Sequence, residues 1–197
     1  MKSHKEQAHS PQGNIKAILF DFMGVLMFQR KDYEANHLVD SVDALIGRVI
    51  HDGEFEKDIM NKFDLDRDKA KEIYRSIADK YEPYQPLWEM LPNLRKRYKL
   101  GIINNGTYLT FRDFDNKLNL SDTFDIHISS GREGVRKPDP AIYMIACQRL
   151  EVEPKECVFM DDTEENIAGA QKIGMKTIYW KNPDKGMAGL LQVINEY

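Results

Sequence analysis

Four places in the chain set chemistry-bearing residues directly after short apolar runs. Asp21 follows Ala17-Ile18-Leu19-Phe20, Asn104-Asn105-Gly106 closes the run that starts at Leu100, and Asp161-Asp162 follows Cys157 to Met160. The fourth run, Phe124 to Ser129, leads through Gly131 to Lys137. Together these positions offer carboxylates, amides and one cation. A carboxylate can act as a nucleophile or hold a hard cation, an amide can donate to an oxyanion, and an ammonium can offset the charge of either.

Such residues act together only if the intervening chain brings them to one edge. The apolar runs are short and nearly continuous, as strands buried on both faces are. Helical patterns separate them: Leu87 to Tyr98, Leu109 to Leu118, Asp139-Pro140 through Leu150, and a segment ending at Gly174. Asp139 supplies an N-cap with proline behind it, and Asp162 with Glu165 forms a capping-box-like pair. A last strand over Thr177 to Trp180 precedes a C-terminal helix. Five strands alternating with helices predict an α/β fold, a doubly wound, Rossmann-like parallel sheet, with its ligand site beyond the carboxyl ends of the strands.

Residues 32–81 break that alternation. Leu38, Val42, Leu45, Ile46, Val49 and Ile50 form one helical stripe interrupted by Asp52-Gly53, and two further stripes run through Phe55 to Phe63 and Ala70 to Tyr81. Three amphipathic helices in succession predict a small helical insertion, with Pro83 and Pro86 marking the return to the sheet. Residues 1–14 read as a polar, mobile leader, which leaves 15–31 and 82–197 for the α/β core.

Composition excludes several classes. The 197 residues carry 28 Lys plus Arg against 32 Asp plus Glu, a net charge of -4, so no overall electrostatic footprint marks a nucleic-acid binder. Two cysteines, Cys147 and Cys157, do not make a disulfide framework or zinc site. No apolar run reaches the roughly 20 residues that span a bilayer, and the N-terminus lacks a signal-peptide core, which predicts a cytoplasmic protein without a membrane partner. No sequence pattern sets the oligomeric state. Asp64, Asp66 and Asp68 mimic the start of a calcium loop, but the turn glycine is missing and Arg75 stands at the twelfth position, so a solvated helix start is expected. The histidines show no ligand spacing.

The segments ILFDFMGVL, GIINNG, GVRKPDPAIY and VFMDDTEENIAGAQKIGM, in this order, resemble the four motifs of the haloacid dehalogenase-like hydrolase superfamily. The likeness is to the branch with a helical cap between the first two motifs, where residues 32–81 fall. It implies that Asp21 is the nucleophile forming a covalent aspartyl intermediate, and that Lys137 stabilises this carboxylate and the charge developing on the transferred phosphoryl group. It implies Mg²⁺ held by Asp21, Asp162, Asp161 directly or through water, and the Met23 backbone carbonyl. Asn104 stands where the family places Ser or Thr, so phosphate would be bound by its amide, by the Asn105 and Gly106 backbone amides and by Lys137. The implied substrate is a small phosphorylated molecule.

One departure bears on the reaction. Family phosphatases carry Asp two residues after the nucleophile, where this chain has Met23, and a thioether cannot transfer the proton that such an Asp supplies. The leading expectation is a Mg²⁺-dependent phosphatase. The alternatives are a catalytically degenerate protein that binds a phosphorylated ligand or a protein partner, and a phosphonate-cleaving enzyme that uses a cap lysine. Tyr33, His37, Lys57 and Lys62 are the cap residues from which substrate selection is expected.

Overall fold

The computed structural model describes residues 14–196. The elements begin with β1 (Ala17–Phe20), β2 (Met27–Gln29), α1 (His37–Ile46), α2 (Asp52–Phe63), α3 (Arg67–Lys80) and β3 (Tyr81–Pro83). They continue with α4 (Gln85–Trp88), α5 (Leu91–Leu94), β4 (Lys99–Asn104), α6 (Tyr108–Leu118), α7 (Leu120–Thr123), β5 (Ile126–Ser129) and α8 (Ser130–Glu133). The remainder comprises α9 (Pro140–Leu150), β6 (Cys157–Asp161), α10 (Glu164–Lys172), β7 (Lys176–Tyr179) and α11 (Pro183–Glu196). The expected leader falls, except for Asn14, outside the described residues.

Five strands form a parallel sheet in the order β5-β4-β1-β6-β7. The alternation of β1 shows how it is buried: Ile18 and Phe20 join one apolar cluster, whereas Ala17 and Leu19 join the cluster on the opposite face. Central β1 pairs with both β4 and β6, so the ends of all three strands meet at one edge, where the order of connection reverses.

Helices α1, α2 and α3 surround an apolar cluster of their own, built on Val42, Ile59, Ile73, Tyr74 and Ile77. They leave and rejoin the sheet through the antiparallel pair β2–β3, which sequence periodicity did not reveal because each strand has only three residues. Asp66 caps α3 by accepting from Lys69 N, so the apparent calcium loop is a helix start.

Several element boundaries differ from expectation. Leu87 to Tyr98 is not one helix but α4 and α5 followed by a turn, because Pro92 has no N–H to give Trp88 and starts a new helix instead. The break between α1 and α2 falls at residues 47–51, and Asp52-Gly53 opens α2, where an acidic side chain suits the helix N-terminus. The expected Asp162 cap is also corrected: Thr163 occupies the N-cap of α10, while Asp161 Oδ1 accepts from Thr163 N at 2.8 Å. Asp139 does cap α9, with Pro140 in the first turn.

Candidate active site

The backbone register assembles the acidic floor. Phe20 pairs with Met160, and Asp21 N donates to the Met160 carbonyl at 2.8 Å, so Asp21 emerges beside Asp161. Oxygens of Asp21, Asp161 and Asp162 lie within 4.8 Å of one another. Into this group the loop after α8 inserts Lys137, whose Nζ donates to Asp21 Oδ1 at 2.5 Å and to Asp161 Oδ2 at 2.7 Å. Lys137 is only 1% exposed, and its peptide bond to Pro138 is cis.

Two amides hold that arrangement. Asn105 Nδ2 donates to the Lys137 carbonyl at 3.0 Å while its Oδ1 accepts from Lys137 N at 2.8 Å, clamping the backbone that carries the lysine. Buried Asn166, from the first turn of α10, donates through Nδ2 to both oxygens of Asp161. With Thr163 N and Lys137 Nζ also bonded to it, Asp161 has donors on both oxygens and acts to position the lysine. Asn166 was not singled out in the sequence. Its available signal was position: it opens α10 on the side that follows β6, five residues after Asp161.

Charge balance follows from burial. Asp21 is raised to about 7 overall: burial pushes it up most, Lys137 pulls it down, and Asp161 and Asp162 push it up further. Burial alone would depress Lys137, but Asp21 and Asp161 outweigh that cost and hold it above the ordinary lysine value. Asp162 is raised, first by burial and then by Asp161. Three carboxylates against one ammonium leave a crowded negative site that a cation would relieve.

The turn after β1 is shaped by the same carboxylates. Gly24 has φ of +89°, a conformation that favours glycine, and a Cβ there would collide with the Asp162 carboxylate. Gly24 N bonds to the Met27 carbonyl and Phe22 O accepts from Leu26 and Met27, while the Met23 carbonyl has no hydrogen-bond partner among the described residues. Asp21 Oδ2 likewise has none and stays accessible in the cleft. The site could therefore hold a hard cation through Asp21, Asp162 and the Met23 carbonyl, with Asp161 behind them; this all-oxygen donor set fits Mg²⁺.

A cavity of about 420 Å³ lies over this floor, between the strand ends and the helical insertion. Asp21, Met23, Asn104, Asn105, Lys137 and Asp162 line it, so the structure brings these expected residues together. One expected phosphate contact needs correction. Gly106 does not line the cavity, because its N–H donates to Ser130 Oγ at 3.0 Å and its carbonyl accepts from Gly131 N. The Asn105 side chain is engaged by the Lys137 backbone, and Asn105 lines the cavity. Asp161 lies fully buried behind the lining.

The insertion contributes different residues from those expected. Tyr33, His37, Lys57 and Lys62 are absent from the lining, and Asp43, Ala44, Ile46, Gly47, Ile77 and Tyr81 supply it. Helical patterning identified the stripes but not which helix edge faces the strand ends. The connection from α1 to α2 is tied to the core at two points: Ser130 Oγ donates to the Val49 carbonyl, and Asp52 accepts from Tyr108 N at the start of α6.

A doubly wound sheet with an aspartate after its first strand, a buried lysine and an acidic pair after its fourth core strand defines a hydrolase-type site with a helical insertion. Residues 15–174 match the haloacid dehalogenase-like hydrolases, and the chain belongs to that family. N-acylneuraminate-9-phosphatase of Rattus norvegicus is 33% identical over 99 residues, covering 50% of this chain and 40% of the relative. Glyceraldehyde 3-phosphate phosphatase of Pyrococcus furiosus is 34% identical over 88 residues, covering 44% and 37%. The matches thus span about two-fifths of these curated relatives.

Solved structures show the same fold. A HAD family enzyme of Bacteroides thetaiotaomicron, in complex with magnesium and inorganic phosphate, superposes with a TM-score of 0.65 at 20% identity, covering 84% of this chain and 94% of that one. A 2-haloacid dehalogenase of Pseudomonas syringae pv. Tomato superposes at 0.66 and 20% identity, covering 92% and 99%. Among the described residues no helix is long and apolar enough to cross a membrane.

Proposed function

We propose that the protein is a Mg²⁺-dependent phosphatase acting on a small phosphorylated molecule through an aspartyl intermediate on Asp21. The observation that carries this reading is the accessible Asp21 Oδ2, on a carboxylate whose other oxygen is held by Lys137 at 2.5 Å. That oxygen attacks phosphorus, the ester bond breaks, and the leaving oxygen departs with the bonding pair; water then cleaves the acyl-phosphate and restores Asp21.

Asp21, Asp162, the Met23 carbonyl and Asp161, directly or through water, would hold Mg²⁺, which neutralises phosphoryl charge and orients the group for in-line attack. Lys137 holds Asp21 in place and stabilises the equatorial oxygens, while the Asn104 amide and the Asn105 backbone N–H add donors. The insertion acts as a cap, residues 32–81, that excludes water from the reacting group. The domain division is then core 15–31 and 82–197 around this cap.

Met23 favours a second reading, a protein that binds a phosphorylated ligand without turnover, because it lines the cavity where an acid would protonate the leaving group. Phosphonate cleavage is less well supported: no cap lysine lines the cavity, and Lys80 is occupied by Asp40 and Asp43. Phosphate release from a panel of phosphate monoesters and phosphonates, with and without Mg²⁺ and with Asp21→Asn as blank, tests the reading. Mg²⁺-dependent release above the blank supports it; binding of phosphate without release favours the second.

A further inference from the structure

The far wall of the cleft has a chemistry opposite to the floor's. Ile46 and Ile77 of the insertion and Phe111 and Phe114 of α6 line the same cavity, and the insertion adds one charged group to that lining, Asp43. Asp43 Oδ2 is spent on Lys80 Nζ at 2.8 Å and on Tyr81 Oη at 2.6 Å. Its Oδ1 has no hydrogen-bond partner among the described residues and is not fully buried, in a residue that lines the cavity.

The lysine that compensates Asp43 is not available to a ligand. Lys80 is 7% exposed, shares its ammonium between Asp40 and Asp43, lies over the rings of Tyr33 and Tyr81, and does not line the cavity. Among the described residues Lys137 is the only cationic side chain lining the cavity, and Asp21 and Asp161 already engage it. A group placed against the wall therefore meets an accepting carboxylate oxygen and hydrocarbon, without any cation to receive a second anionic group.

We propose that Asp43 is a specificity-determining residue that selects phosphate esters whose leaving group is non-anionic and rich in hydrogen-bond donors, and that rejects esters bearing a carboxylate or second phosphate. This rests on the phosphatase reading, since it names the substrate class of the same cleft. Hydroxyl or ammonium groups satisfy Oδ1, and the C–H face of the same moiety packs on Ile77, Phe111 and Phe114. A carboxylate there loses its hydration opposite a like charge. The two donor sources share one recognition chemistry.

The test measures binding apart from turnover. Dissociation constants for glycerol 3-phosphate, ethanolamine phosphate and 3-phosphoglycerate are obtained by calorimetry with Mg²⁺ on Asp21→Asn, which lacks the nucleophile. The first two are expected to bind at least about tenfold more tightly than 3-phosphoglycerate, a difference of about 1.4 kcal/mol. Adding Asp43→Asn should shrink that gap to within about threefold; Asp40 remains to hold Lys80. Stronger binding of ethanolamine phosphate than of glycerol 3-phosphate identifies the ammonium as the preferred donor, and the reverse identifies the hydroxyl. Equal or tighter binding of 3-phosphoglycerate overturns the proposal even if the double variant does not fold, as does a gap that survives loss of the Asp43 charge. Wild-type hydrolysis of acetyl phosphate reports the phosphoryl step separately, so its absence with the binding order intact would remove the phosphatase reading and leave this selectivity standing.

Discussion

The floor and the wall of the cleft are built on different terms. On the floor, Asn105, Lys137, Asp161 and Asn166 form a chain of bonds from three separate segments: the end of β4, the end of β6 with α10, and the loop after α8. The oxygens left over belong to Asp21 and Asp162, where chemistry is expected. The wall is largely apolar, and Asp43 Oδ2 is held by Lys80 and Tyr81. Behind Phe111 the ring of His127 stacks 3.4 Å away with both nitrogens buried and unbonded, and Asp43 keeps one oxygen open. Interlocked polar groups resist displacement, which suits groups that must hold a reacting atom, whereas an apolar wall with one open acceptor suits a part of the site that discriminates among ligands.

The largest expected effect breaks the floor at its centre. Asp21→Asn should lower phosphate release by about 10³-fold or more, since the amide cannot attack phosphorus. Steady-state kinetics measures it, and retained turnover would remove Asp21 as nucleophile. Met23→Asp tests the one floor position whose side chain lacks suitable chemistry: it should raise kcat by about 10²- to 10⁴-fold on an alkyl phosphate and by less on an aryl phosphate, whose leaving group departs readily as its anion.

Lys137→Met breaks the floor's interlock. It strands two buried carboxylates, so urea denaturation should show a loss of about 3–5 kcal/mol, partly recovered by Mg²⁺. An unchanged midpoint would mean that the floor is held by its amides alone. Ser130→Ala cuts the tie between floor and insertion, removing the hydroxyl shared by Gly106 N and the Val49 carbonyl. A loss of about 1–3 kcal/mol is expected, together with a raised KM for substrates that reach the wall.

His127 sharpens the comparison through pH. Burial, with a smaller contribution from Arg132, pushes its imidazolium pKa down to about 3 from 6.5. The folded protein therefore keeps His127 neutral while the unfolded chain protonates it below pH 6.5. The associated stability is complete above pH 6.5 and declines as pH falls toward 3, by up to about 1.4 kcal/mol per unit. His127→Phe keeps the stack on Phe111 and removes the titration, so its stability relative to wild type should rise by about 1 kcal/mol as pH falls from 6.5 to 5.5. Parallel stability profiles would show that the ring is solvated.

Some of this was legible in the amino-acid order because the signals are local. Four apolar runs, each followed by a polar residue, mark where strands end, and a parallel sheet brings those ends to one edge. Asp21 and Asp162 are therefore legible as strand-end residues, and Lys137 through its motif. Asp139-Pro140 carries its own helix start, and the order of the four motifs carries the family.

The tertiary structure decided which groups are spent and which remain free. Lys137 meets Asp21 across 116 residues, Asn105 meets the Lys137 backbone across 32, and Gly106 gives its N–H to Ser130 across 24. None of these pairings leaves a mark in either chain segment alone. The helical period likewise placed Ile77 on the buried side of α3, but only packing against the strand ends turned Asp43, rather than His37 or Lys62, toward the cleft. Periodicity relates a side chain to its own element; the neighbour it meets is set by how the elements pack.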